Sequence, residues 1–112
     1  MQSLSVDQLR AFAAVEPRTL LLDVREPWEV QLARIQLPQV ATLHIPMNDI
    51  PQRLEELDAL DTSQPVVCIC HHGVRSAQVV AFLQHRGHPR VYNLAGGLDA
   101  WSSEVDPAIP RY

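Results

Sequence analysis

The segment Cys70-His71-His72-Gly73-Val74-Arg75-Ser76 decides how this chain is read. It follows an apolar run, Pro65-Val66-Val67-Cys68-Ile69, and precedes Ala77 to Arg86, where apolar residues recur with helical spacing. A β-rich run, a compact loop with one glycine and a helix together form an anion cradle. The loop amides converge on one point, and the helix N-terminus adds roughly half a positive charge there. Cys70 stands where the cradle begins. In such a field the thiol is expected to ionise more easily than a free one, because the amides and Arg75 stabilise the charged form. A cysteine at a strand end can instead be a small core hydrophobe. Gly73, Arg75 and Ser76 within one loop favour the nucleophile for Cys70, whereas Cys68, on the same strand face, keeps the core reading.

The remaining composition narrows the classes. A chain of 112 residues, 46% apolar and 20% charged, is expected to form one domain over 1–112 with a core that needs no disulfide staples. A net charge of −4 argues against nucleic acid or an anionic membrane as partner. All nine formal cations are arginine, so an anion held at Cys70 must rely on arginine, backbone amides or protonated histidine. Two cysteines one residue apart do not suggest a disulfide framework. The start, Met1-Gln2-Ser3-Leu4-Ser5-Val6-Asp7, lacks the pattern of a secretory signal, and no run reaches about 18 apolar residues. A cytoplasmic location, where a free thiol survives, is therefore expected.

The chain in order predicts alternating strands and helices. Ser3-Leu4 is a possible short strand, and Ser5-Val6-Asp7-Gln8 reads as a capping box opening a helix to about Val15, with Leu9, Phe12 and Ala13 on one face. Thr19 to Val24 is a strand with both faces covered, ending in Asp23-Val24-Arg25-Glu26. Charged residues at the carboxyl end of such a strand lie where open α/β sheets place ligands, or they form a turn cap and a solvated pair. Pro27 starts a short helix. Thr42 to Ile45 is a strand containing His44, and Asn48 opens a helix to about Leu57, with Pro51 in its first turn and Ile50, Leu54 and Leu57 facing inward. Strand 65–69, the loop and helix 76–86 follow, with Gly87 just past the helix end and His85 and His88 read as surface residues or as complements to the helix dipole. Strand 90–94, a Gly96-Gly97 turn and a helix Leu98 to Glu104 anchored by Trp101 complete the order, and Asp106 to Tyr112 is expected to run extended over the surface. This alternation gives a doubly wound α/β domain with a mainly parallel sheet.

Cys-x-x-Gly-x-Arg-Ser after a valine-rich strand resembles the active-site loop of rhodanese-like sulfurtransferases. Leu21-Leu22-Asp23-Val24-Arg25-Glu26 and Asn93-Leu94-Ala95-Gly96-Gly97-Leu98-Asp99-Ala100-Trp101 match the same family in order and spacing. The resemblance implies a three-layer α/β/α domain and a persulfide on Cys70, cradled by His71, His72, Gly73, Val74, Arg75 and Ser76. It also implies that Asp23 and Arg25 brace the loop and that no cofactor or metal is needed. Arg75 is expected to turn from the sulfur and pair with Asp23 or Glu26, and Ser76 to join that network or cap the helix. In the family the positions of His71 and His72 bear on donor preference, and members suited to thiosulfate often carry cations there. As two imidazoles with an ordinary pKa near 6.5 they would be mostly neutral at pH 7, or they are simply solvent-facing. One stretch departs from the family: Ala33-Arg34-Ile35-Gln36-Leu37-Pro38-Gln39-Val40 stands where Gly-His-Ile-Pro-Gly-Ala is usual, which bears on a turn and not on the chemistry.

The expected partners are a small sulfur donor, such as thiosulfate, and a nucleophilic acceptor such as cyanide or a thiol. The alternative is a sulfur carrier or interaction module serving a protein acceptor. Phosphatase chemistry fits less well, since four residues rather than five separate Cys70 from Arg75 and the loop is narrow for phosphate. Zinc is disfavoured because Cys68, Cys70, His71 and His72 are too close in sequence to wrap a tetrahedron.

Overall fold

The computed structural model describes residues 2–112. Its frame is one sheet of five strands, β1 (Ser3–Leu4), β2 (Leu20–Asp23), β3 (Ala41–His44), β4 (Val66–Ile69) and β5 (Val91–Leu94), in the order β1-β5-β4-β2-β3 with every pairing parallel. Helices α1 (Val6–Val15), α2 (Pro27–Leu32), α3 (Leu54–Asp58) and α4 (Val74–His85) fill the crossovers, and α5 (Gly97–Glu104) follows the last strand. Parallel strands need such crossovers, and helices then cover both faces of the sheet.

The two faces follow from side-chain alternation along the central strands. Leu20, Leu22, Val66, Cys68 and Cys70 join Ile50 and Leu57 and the Val79, Val80 and Leu83 stripe of α4 in one core. Leu21, Val67 and Ile69 join Val6 and Leu9 of α1 and Leu98 and Trp101 of α5 in the other. The result is the three-layer α/β/α arrangement. None of the helices among the described residues is long and apolar enough to cross a membrane. The Ser5–Gln8 capping box forms in both directions, at 3.1 and 2.8 Å.

Four local readings change. The helix expected from Asn48 to Leu57 is a 3-10 helix over Met47–Gln52 followed by the short α3. Pro51 has no N–H to offer and restrains Ile50, so the chain closes tight turns there before an α-helix can start at Leu54. Helix α4 begins at Val74, two residues earlier than read, with Gly73 as its N-cap. His88 is buried, not superficial. Gly87, at φ 94°, turns the chain so that the His88 amide donates to the Leu83 carbonyl at 3.0 Å, a Schellman closure that tucks the following side chain inward. Residues 106–112 do more than cover the surface: Ile109 packs into the second core and Tyr112 reaches the Cys70 loop. In the divergent stretch, Gln39 takes φ 66° after Pro38, and the Val40 amide donates to the Leu37 carbonyl at 3.3 Å. Gln39 thus adopts the left-handed conformation for which glycine is ordinarily used.

Candidate active site

β4 is flanked by β2 and β5, and Cys70 is the first residue beyond its carboxyl end. The register sets Asp23 of β2 opposite Ile69 and Asn93 of β5 opposite Cys68, so three chain segments meet at the loop. Gly73, at φ 99°, reverses the backbone and starts α4. Its amide donates to Cys70 Sγ at 3.0 Å, while the Ser76 amide and Oγ lie 3.4 and 3.2 Å from the same sulfur. The sulfur is therefore a focus of donors at a helix N-terminus, an arrangement that favours negative charge. Cys70 is only 1% exposed.

The loop is held from behind by the next β–α turn. Leu98 and Asp99, at the start of α5, donate their amides to the carbonyls of Cys70 and His71 at 2.8 and 3.0 Å. Gly97 allows this approach, because a Cβ there would collide with both carbonyl oxygens. With the carbonyls bound outward, loop amides are free to face the sulfur. Asn93 completes the brace: its Nδ2 donates to the Gly73 carbonyl at 3.1 Å and its Oδ1 lies 2.5 Å from Ser76 Oγ. Ser76 has a single hydroxyl proton, so at any moment it serves either Asn93 or the sulfur. Ser76 makes no helix cap.

Arg75 turns from the sulfur, as the sequence suggested, but its partner is neither Asp23 nor Glu26. It grips Glu29 of α2 with two bonds of 2.6 and 2.8 Å. Asp23 and Arg25 pair with one another, fully buried, through bonds of 2.7 and 2.9 Å. They reach the loop through an intermediary. Arg25 Nη1 donates to Tyr112 Oη at 3.0 Å, and that hydroxyl donates to Glu29 Oε2 at 2.8 Å. His44 joins the same region through its Nε2, 2.7 Å from the Arg25 carbonyl.

These contacts set the charges. The Arg75 guanidinium, helped by the Tyr112 hydroxyl, holds the Glu29 carboxyl down at about 2 against the cost of burial. Glu29 in turn raises Arg75. Burial pushes Tyr112 up to about 12. Burial, and then the neighbouring His72, lower His71, keeping it neutral at pH 7. Burial also pushes the Cys68 thiol far up, so Cys68 remains an inert core group. The His71 ring stacks between Tyr112 and His72, each centroid 4.0 Å away. His72 and Val74 project outward.

A family model for the rhodanese-like domain matches residues 5–104. This chain belongs to the rhodanese-like domain family. The putative sulfurtransferase YtwF of Bacillus subtilis is 36% identical over 107 residues, spanning 96% of each chain. A sulfurtransferase of Allochromatium vinosum is 38% identical over 90 residues, 80% of this chain and 78% of its own. The rhodanese-like module also occurs inside longer proteins: the chain spans 30% of the Arabidopsis thaliana rhodanese-like/PpiC domain-containing protein 12, chloroplastic, at 36% identity over 82% of this chain. In fold, the crystal structure of a rhodanese-like domain protein from Staphylococcus aureus superposes with a TM-score of 0.76 at 27% identity, covering 100% of this chain and 99% of that one.

Sequence reasoning missed Glu29, Asn93 and Tyr112 as members of the site. Asn93 left a signal, a polar residue in the otherwise apolar strand Val91-Tyr92-Asn93-Leu94. Glu29 lies 46 residues from Arg75 and Tyr112 lies 83 from Glu29, and no local pattern announces either contact.

Proposed function

We propose that this rhodanese-like chain, acting as one domain over 1–112, moves a sulfane sulfur from a donor such as thiosulfate to a nucleophilic acceptor such as cyanide or a thiol. Cys70 is the nucleophile. Its Sγ attacks the outer sulfur of thiosulfate, the sulfur–sulfur bond of the donor breaks, and sulfite leaves with the electron pair. The acceptor then attacks the outer sulfur of the Cys70 persulfide, forming thiocyanate when it is cyanide, and the thiolate is regenerated. Neither half-reaction needs a metal or cofactor.

The reading is supported above all by the donors that converge on a buried sulfur, Gly73 N–H and Ser76 N–H, which the Ser76 hydroxyl joins when its proton leaves Asn93. Hydrogen bonds aimed beforehand at developing charge stabilise it without reorganisation. The remaining amides from His71 to Ser76 are assigned to the outer sulfur of the persulfide. Arg75 positions the loop through Glu29, Asp23 and Arg25 brace it through Tyr112, and His71 and His72 border the donor's approach. The cytoplasm is the compartment this free-thiol chemistry suits, and a protein thiol remains an eligible acceptor.

The test is thiocyanate production from thiosulfate and cyanide by the wild type and by Cys70→Ser. The near-isosteric change should abolish turnover and leave the folded circular-dichroism spectrum intact. Turnover surviving in Cys70→Ser would move the nucleophile to Cys68 and refute the assignment.

A further inference from the structure

A cavity of about 360 Å³ opens on the face of the sheet opposite the Cys70 side chain. Its floor includes Leu21 and Ile69, which belong to the second core, whereas Cys70 packs in the first. The register sets Thr42 beside Leu21, and Asp23 between His44 and Ile69, so side chains of one sheet face line it. Helices α1 and α5 cover the second core elsewhere, and here the cover is Ile35, Leu37 and Val40. These three come from the one stretch that departs from the family sequence, so the cavity is shaped by residues particular to this chain. Its volume falls within the roughly 300–1,000 Å³ of small-molecule sites.

The charge at this cavity is not balanced. Of the nine arginines in the chain, Arg34 alone makes no ion pair among the described residues. It lines the cavity while remaining exposed, which sets it at the rim. The one carboxylate in the lining, Asp23, is already held, since Arg25 donates to its two oxygens at 2.9 and 2.7 Å. His44 is turned to the Arg25 carbonyl through Nε2, at 2.7 Å. Arg34 is therefore a fixed cation without a counterion, at the edge of an otherwise largely apolar space.

We propose that this cavity binds a small monocarboxylate with an apolar body, its carboxylate on Arg34 and its hydrocarbon against Leu21, Ile35, Leu37 and Ile69. The guanidinium fork matches a carboxylate with two parallel hydrogen bonds, and the apolar lining gains by taking hydrocarbon out of water. An inorganic anion would satisfy Arg34 and leave the apolar floor unfilled. A neutral hydrocarbon would do the reverse. The bound acid lies across the sheet from the sulfur, so it is not a substrate of Cys70, and its binding is independent of sulfur transfer.

The experiment titrates the methyl-labelled full chain with octanoate, below its micelle concentration, and follows methyl NMR signals, with 1-octanol and acetate in parallel. Octanoate should shift the Leu21, Ile35 and Ile69 methyls saturably and show cross-relaxation to them. Acetate and 1-octanol should each bind about tenfold more weakly or worse, since each keeps one half of the match. Arg34→Gln should weaken octanoate by about tenfold, the scale of a charge-assisted bond discounted for exposure, and leave 1-octanol unchanged. General damage to the fold would weaken both. Thr42→Phe, which places a ring in the cavity from the exposed edge strand, should abolish binding of both with the circular-dichroism spectrum intact. Arg34→Gln alters only the rim, so the test stands even where Thr42→Phe does not fold. No saturable shift, equal affinity for octanoate and 1-octanol, equal octanoate affinity in Arg34→Gln, or contacts at other methyls instead would overturn the proposal.

Discussion

Two carboxylate–guanidinium pairs stand within a few residues of each other, and they do different work. Asp23–Arg25 is local, two residues apart, with side chains 6% and 0% exposed. Glu29–Arg75 joins residues 46 apart, and its arginine side chain is 35% exposed. The first pair is sealed at the end of β2, where the Arg25 amide also donates to Asp23 at 3.1 Å. It fixes the end of a strand. The second ties α2 to the first turn of α4, and so sets where the Cys70 loop lies. A buried local pair is a structural post, while a half-exposed distant pair is a positioning strut, and Tyr112 bridges the two.

Breaking the first pair should cost most in stability. Arg25→Ala leaves Asp23 buried without its countercharge and should lower unfolding free energy by about 3–5 kcal/mol, read from urea denaturation. An unchanged midpoint would mean that Asp23 finds solvent or another partner.

Breaking the second pair should cost less stability and more function. Glu29→Gln keeps the shape and loses the charge, and should cost about 2 kcal/mol once the exposure of Arg75 is discounted. Sulfur loading should slow by about tenfold or more, because a misplaced loop loses near-attack geometry. The same pair carries a pH signature. The Glu29 carboxyl is depressed in the folded state from 4.5 to about 2. Its contribution is therefore complete above about pH 4.5 and is lost as pH falls toward 2, since the unfolded chain binds the proton first. Urea midpoints of wild type and Glu29→Gln should diverge above pH 4.5 and converge toward pH 2. Parallel curves across that range would remove Glu29 from the account.

The bridge is the smallest effect. Tyr112→Phe keeps the stack on His71 and deletes the bonds to Arg25 and Glu29, at a cost of about 1 kcal/mol. Sulfur loading should fall less than in Glu29→Gln, because Arg75 still holds its carboxylate. A loss equal to that of Glu29→Gln would show that the two pairs act as one unit.

The contrast between the pairs also marks what the sequence makes legible. The strands show because their apolar runs are bounded by prolines and lie in a sheet covered on both faces, as in Leu20-Leu21-Leu22 and Val66-Val67-Cys68-Ile69. The cradle shows because Cys70, Gly73 and Ser76 act on one another within seven residues. Asp23 and Arg25 could be named from their position at a strand end, but that they pair together could not. The partner of Arg75 depends on where the crossover through α2 sets Glu29, a property of the assembled sheet. Tyr112 was hidden for the same reason, since its role requires residues 106–112 to pack back across α5. The 3-10 segment at Met47–Gln52 is not legible from Pro51 as a first-turn residue, because the ring also restricts Ile50 before it.

The most direct test of the central claim is the intact mass of wild type and Cys70→Ser after incubation with a sulfane donor, before and after cyanide. The account requires the wild type to gain one sulfur that cyanide removes, and Cys70→Ser to gain none. A removable sulfur on Cys70→Ser, or none on the wild type with either thiosulfate or an alkyl persulfide, would contradict it.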